Sequence, residues 1–263
     1  MTHTVTFTKA TGAGNDFVIV DNMQKTLQAD KSKLSVAVCS RHYGVGADGL
    51  LVLEPSTISD FAMLYYNADG TYGGMCGNGG RCAAQYAFLR GIAGKTPRFE
   101  ALGYVYEAEI EGGPVRLKMK NPTSFRSDIV VDTGAEKLRG QFINTGSPHV
   151  VFFMKDIESL DVKRLGRRIR EHEAFAPEGT NVNFVRLGEG DAIHVRTYER
   201  GVENETLACG TGSVASAVLS GIVENRSSPV SVHVRSGEVL QVSFERSGRS
   251  SMRPWRVSFS ATA

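Results

Sequence analysis

Cys76-Gly77-Asn78-Gly79-Gly80-Arg81-Cys82-Ala83-Ala84-Gln85-Tyr86-Ala87-Phe88-Leu89-Arg90 decides how this chain is read. A cysteine and a cluster of glycines lead into an Ala- and Leu-bearing run without strand alternation, which predicts a helix over Gly77–Arg90. The same order returns at Cys209-Gly210-Thr211-Gly212, ahead of a second helix expected over Gly210–Val223. That run, GTGSVASAVLSGIV, is small or apolar around nearly its whole circumference, which a helix tolerates only when other structure encloses it. Two central helices with one kind of start, at comparable places in the two halves, predict two related domains.

Outward from these helices the chain reads as strands. Period-2 alternation marks Val5–Lys9, Phe61–Asn67, Tyr104–Ile110, Val115–Met119, Ile193–Tyr198, Val230–Val234 and Arg256–Phe259. A third helix, near Val162–Phe175, carries Val162, Leu165 and Ile169 on one stripe, the pattern of a helix packed outside a sheet. Asn121-Pro122-Thr123-Ser124 is turn-favouring and is the expected linker, giving domains 1–121 and 122–263. A last strand, 254–263, can pair back onto the first domain.

Composition narrows the function. Thirty basic against 28 acidic residues leave a net charge of +2 without blocks of one sign, so nucleic acid and acidic membrane are poor partners and a small polar molecule is a better one. The N-terminus MTHTVTFTKA has no signal-peptide pattern and no apolar run reaches membrane-spanning length, so a soluble cytoplasmic protein is expected. Four cysteines in a reducing compartment leave packing, metal binding or catalysis. No Cys-x-x-Cys pair supports zinc.

A cysteine at a helix start meets the positive end of the helix dipole and free backbone N–H groups, which favour thiolate. The glycines after it let backbone approach a ligand, and first-turn N–H groups can hold a carboxylate. One Cys-Gly-x-Gly fits a buried small thiol beside a tight turn equally well. A pair fits chemistry better, because inverting a Cα takes a base on one face and an acid on the other.

The ordered set Thr11-Gly12-Ala13-Gly14-Asn15-Asp16-Phe17, Tyr66-Asn67-Ala68-Asp69-Gly70, Met75 to Cys82, Gly146-Ser147-Pro148-His149, Thr180-Asn181-Val182-Asn183-Phe184 and Glu199-Arg200-Gly201 through Gly212 resembles the diaminopimelate epimerase family along the whole chain. The resemblance implies an α/β (α+β) fold of two pseudo-symmetric domains, each a β-rich, barrel-like shell around a central helix, with the active site in a cleft between them. It implies Cys76 and Cys209 as the catalytic pair, supported by His149 and Glu199, and no cofactor or metal. Backbone at Gly77, Asn78, Gly210 and Thr211 would hold the α-carboxylate, and Asn15, Asn67, Asn181, Glu199 and Arg200 the rest of the substrate. It further implies a homodimer and a place in lysine and cell-wall precursor synthesis. Glu199-Arg200 suits a zwitterionic substrate end, and a strand-end ion pair equally. Cys39 and Cys82 are assigned to packing.

Three departures bear on substrate choice: Gly49 where many members carry Gln, Ser147 where many carry Asn, and Glu203-Asn204-Glu205, which lengthens the stretch from Arg200 to Cys209. The nearest rival is a proline or hydroxyproline type racemase, which shares fold and chemistry and typically has His where Asn78 stands. A thiol redox protein or a cysteine–histidine hydrolase leaves the duplicated motif unexplained. No local pattern singles out a pyridoxal-phosphate lysine.

Overall fold

The computed structural model describes residues 4–110, 112–246 and 255–261. Packing divides the chain into two compact units, Met1–Lys118 with Ala261–Ala263, and Met119–Ser260, against the expected boundary of 121/122.

The first unit contains β1 (Thr8–Gly12), β2 (Asn15–Asp21), α1 (Lys31–Cys39), β3 (Gly49–Glu54), β4 (Phe61–Asn67), α2 (Gly77–Leu89), β5 (Arg98–Ala101), β6 (Tyr104–Ile110) and β7 (Val115–Lys118). Its strands pair in chain order, antiparallel, parallel, antiparallel, parallel, antiparallel, antiparallel. β2 and β3 carry the apolar runs Phe17–Val20 and Leu50–Leu53 because α2 covers one face of the sheet and α1 the other. Val18, Val20, Leu50 and Val52 pack with Cys39 on the α1 side, while Gly79 of α2 lies against Leu51 and Phe17. At roughly 1.5–3 kcal/mol per buried side chain, such a run outweighs the roughly 1–2 kcal/mol of backbone entropy per ordered residue.

The second unit contains β8 (Thr123–Asp132), β9 (Lys137–Asn144), β10 (Pro148–Phe153), α3 (Val162–Arg170), β11 (Asn181–Leu187), β12 (Ala192–Glu199), β13 (Asn204–Thr206), α4 (Gly210–Val223), β14 (Val230–His233), β15 (Val239–Arg246) and β16 (Trp255–Ala261). From β9 onward the pairing again runs antiparallel, parallel, antiparallel, parallel, antiparallel, antiparallel. α3 enters between β10 and β11 as α1 does between β2 and β3, and α4 precedes β14 as α2 precedes β5. The halves are thus one topology used twice, with β8 and β13 added. α4 touches β9, β10, β11, β12, β14 and β15, and every residue from Gly212 to Ser220 is buried. Its Gly, Ser and Val content gives it little helical preference of its own, so enclosure stabilises it.

Several expectations shift. The first strand starts at Thr8 rather than Val5, since its partner register begins at Thr8↔Ile19. The expected linker at 121–124 ends early, because Thr123 and Ser124 already belong to β8, an edge strand with irregular pairing to β9. The helix expected over 162–175 stops at Arg170, and a 3-10 turn follows at Glu173–Phe175. The break comes at His172, whose extended backbone lets its Nδ1 accept from Ala174 N at 3.2 Å. α1 was not anticipated. Of the C-terminal strand, Trp255–Ala261 forms β16 on β15, and 254, 262 and 263 lie outside the described residues. No helix among the described residues is long and apolar enough to cross a membrane.

Gly166 of α3 tests the packing. A Cβ there would lie 2.4 Å from Tyr198 Cβ and 2.6 Å from Tyr198 Cγ, atoms held close to the β12 backbone. Gly166→Ala gains about 1 kcal/mol in helix propensity, but because the atoms it meets cannot move aside the overpacking cost falls at the upper end of about 1–3 kcal/mol, so a net loss approaching about 2 kcal/mol is expected. The urea midpoint should fall; an unchanged or higher midpoint contradicts this packing.

Candidate active site

Both repeated cysteines are helix N-caps, with extended backbone: φ −123°, ψ 123° at Cys76 before α2 and φ −119°, ψ 113° at Cys209 before α4. The first helical bonds are Gly80 N to Cys76 O and Ser213 N to Cys209 O. The N–H groups of Gly77 and Asn78, and of Gly210 and Thr211, therefore precede the intrahelical ladder and point out of the helix start. Cys76 Sγ accepts from Gly79 N at 3.5 Å, and Cys209 makes no cap bond. Cys76 is half-buried and Cys209 buried.

In the first unit, a two-residue turn at Ala13-Gly14, both with positive φ, closes the β1–β2 hairpin. The Gly12-x-Gly14 motif is thus a turn that places Asn15 at the start of β2. Asn15 Nδ2 donates to Asp48 Oδ2 at 3.1 Å, and its Oδ1 accepts from Asn78 Nδ2 at 2.6 Å. Asn78, 1% exposed, accepts from the buried Arg81 guanidinium at 2.9 Å. Asn67 ends β4 opposite Gly49. A Cβ at Gly49 would come within 2.5 Å of the Tyr65 ring, so the bare position is occupied by that neighbour.

In the second unit, His149 is fully buried. Asn183 Oδ1 accepts from Thr197 Oγ1 at 3.0 Å, and its Nδ2 donates to Val150 O at 3.1 Å and meets His149 Nδ1 at 3.2 Å. Nδ1 is therefore the acceptor, and the imidazole proton sits on Nε2, 2.9 Å from both Ser147 Oγ and Thr211 Oγ1. Thr211 Oγ1 lies in turn 3.5 Å from Cys209 Sγ, so one hydroxyl bridges histidine and thiol. Burial, helped by the charge of Arg200, pushes His149 down to about 3, so the ring stays neutral at ordinary pH. Burial raises the Glu199 carboxyl, with the Thr206 hydroxyl and Cys209 thiol beside it pulling the other way.

The predicted residues gather unevenly. Glu199 and His149 both reach Cys209 or its bridge. Arg200 NH1 donates to Glu178 O at 3.1 Å, and no ion pair joins it to Glu199 among the described residues. Asn181 is largely committed within the protein: Oδ1 accepts from Arg200 N at 2.9 Å, and Nδ2 donates to Pro148 O at 2.9 Å. The extra length at 203–205 forms a hairpin with β12, where Glu203 meets Arg170 and Glu205 takes two hydrogen bonds from Arg196. Cys39 and Cys82 are buried. Asn183, Thr197 and Tyr65 join the network without being among the residues expected from the sequence. For Asn183 a signal existed, since it stands two residues from Asn181 on one strand and shares its face.

The profile of the family described as diaminopimelate epimerase matches residues 7–138 and 141–253. Diaminopimelate epimerase of Chlorobaculum tepidum is 48% identical over 237 residues, covering 89% of this chain and 90% of its own. That of Aquifex aeolicus is 45% identical over 251 residues, covering 90% and 89%. Among solved structures, a PhzF-family phenazine biosynthesis protein of Bacillus anthracis matches with TM-score 0.74 at 15% identity, covering 98% of this chain and 94% of its own. A hydroxyproline epimerase of Agrobacterium vitis matches with TM-score 0.67 at 14% identity, covering 97% and 88%. These two show the same fold.

The Glu199 environment sets a pH dependence. Its folded pKa lies above the ordinary glutamate value, so its contribution to stability is present in full below that value and is lost as pH rises through the folded pKa. Glu199→Gln, which carries no charge, should stabilise the protein at about pH 8 and much less at about pH 4. Chemical denaturation at the two pH values reads the difference; a gain that does not grow with pH contradicts the burial argument.

Proposed function

The chain belongs to the diaminopimelate epimerase family, and from that membership we propose that it interconverts L,L- and meso-diaminopimelate without a cofactor, using Cys76 and Cys209 as a two-base pair. The observation that carries this reading is the repeated N-cap cysteine, set at one topological position in each half with nearly the same backbone angles. In the proposed reaction one thiolate takes the Cα proton and becomes a thiol. The opposite thiol then delivers its proton to the other face and becomes a thiolate, so charge and protons balance over the turnover. Negative charge developing at the α-carboxylate is held by the N–H groups of Gly77, Asn78, Gly210 and Thr211 and by the two helix dipoles.

Neighbouring groups receive distinct roles. His149, neutral, orients the Thr211 hydroxyl toward Cys209 and carries no charge to the thiol. Glu199 tunes the protonation of Cys209. Asn15, Asn67, Asn181 and Arg200 recognise the remainder of the substrate; for Asn181 this works mainly through the Arg200 backbone it holds. Asn78 favours this substrate over a proline-type one, since its side chain is tied to Asn15 and Arg81 and offers no base. The proposal includes a homodimer in the cytoplasm serving lysine and cell-wall precursor synthesis.

Incubation with L,L-diaminopimelate in deuterium oxide should give meso product bearing deuterium at Cα. Alanine at Cys76 or at Cys209 should lower turnover by at least roughly 10²–10⁴-fold, the scale of a lost proton carrier, while Cys82→Ala keeps it. Turnover of hydroxyproline but not diaminopimelate overturns the substrate, and an active Cys209→Ala variant overturns the two-base reaction.

A further inference from the structure

Tyr65 sits in a slot made by two bare backbones. A Cβ at Gly73 would lie 2.4 Å from its ring Cε1, and one at Gly49 would lie 2.5 Å from Cε2 on the other edge. Phe17 meets the ring edge-on, with centroids 6.1 Å apart and planes at 77°. Leu51 stands opposite it in the β3–β4 register. A ring held on both edges cannot swing, so its hydroxyl has a fixed place.

That place is beside Asn67. Tyr65 Oη donates to Asn67 Oδ1 at 2.7 Å. On the other side of the amide, Asn67 Nδ2 donates to Thr71 Oγ1 at 2.9 Å. Thr71 has spent its own proton on Asp69 Oδ1 at 2.6 Å, so toward Asn67 it can only accept. A donor faces the amide oxygen and an acceptor faces the nitrogen, which selects one of the two amide orientations. In that orientation any ligand atom that meets the second Nδ2 proton must be an acceptor.

We propose that Tyr65 is a specificity-determining positioning residue: seated between Gly49 and Gly73, it locks the Asn67 amide with its N–H turned outward, so that the site takes amino acids whose non-reacting end carries a carboxylate. The inference rests on the reading of Asn67 as a substrate contact. Without the hydroxyl only Thr71 holds the amide, and the orientation that turns its carbonyl toward the carboxylate, where two acceptors repel, becomes more populated. The reacting Cα and the cysteines are untouched by that change, so the loss falls on binding.

The test is Tyr65→Phe, which keeps the ring and its slot. KM for diaminopimelate should rise about 5- to 20-fold with kcat within about twofold, the signature of a lost binding interaction, at an unchanged melting temperature. In an Asn67→Ala background the same substitution should raise KM no further, because Tyr65 acts through that amide. An unchanged KM in Tyr65→Phe, or a rise of equal size with and without Asn67, overturns the role of Tyr65 and leaves the epimerase reading intact. Wild-type protein that exchanges deuterium into another amino acid but not into diaminopimelate overturns the substrate reading, and this inference with it.

Discussion

The structure depends on two buried helices whose first turns are left short of hydrogen bonds. A helix start has orphan N–H groups, and burying one unpaired costs about 1–3 kcal/mol. Ser, Thr, Asp or Asn at the cap would satisfy one of them. The chain uses that solution at the two outer helices: Asp30 caps α1 through Lys33 N, and Asp161 caps α3 through Arg164 N. At α2 and α4 it places cysteine instead, with one long cap bond to Gly79 N in the first and no side-chain cap bond in the second. Among the described residues the poor caps thus belong to the two central helices and not to α1 or α3. Their stability comes from enclosure.

The duplicated topology puts equivalent positions to different uses. Gly49 begins β3 as Asn181 begins β11, and Asn67 ends β4 as Glu199 ends β12. Around Cys209 the second half supplies a neutral imidazole, a bridging threonine and a carboxyl raised by burial. The first half surrounds the start of α2 with amides and a buried guanidinium. One scaffold thus presents two chemically unlike thiol environments, which suits a reaction whose two faces are never equivalent in a single turnover.

How much of this could be read beforehand differs by residue. The cysteines and the helices after them were legible because Gly-rich starts and small-residue bodies are local signals, and a helix over Gly210–Val223 matches α4 in its bounds. α1 was not, since KSKLSVAVC lacks a clear amphipathic stripe and buries only Ser35 and Cys39. Thr123 and Ser124 of β8 read as linker because they are turn-favouring and open a largely exposed edge strand, on which burial imposes no alternation. The contacts of Tyr65 and Asn183 arise from register between strands, and register is set by partners far away in the chain.

The departures from the common family pattern are absorbed where they occur. The extra length before Cys209 forms a hairpin in which Glu203 and Glu205 pair with Arg170 and Arg196, so its added charges are spent inside the second unit. Ser147 lies 2.9 Å from His149 Nε2 and 3.2 Å from Thr211 Oγ1, so a hydroxyl at that position still reaches the network at the start of α4. Gly49 gives up a side chain, and the Tyr65 ring fills the space it leaves. Each change is matched by a neighbour in contact with it, and pairs in contact are the ones whose effects fail to add. Single substitutions toward the common pattern would therefore meet an environment already rebuilt: a side chain at 49 runs into a ring locked by Gly73 from the opposite edge.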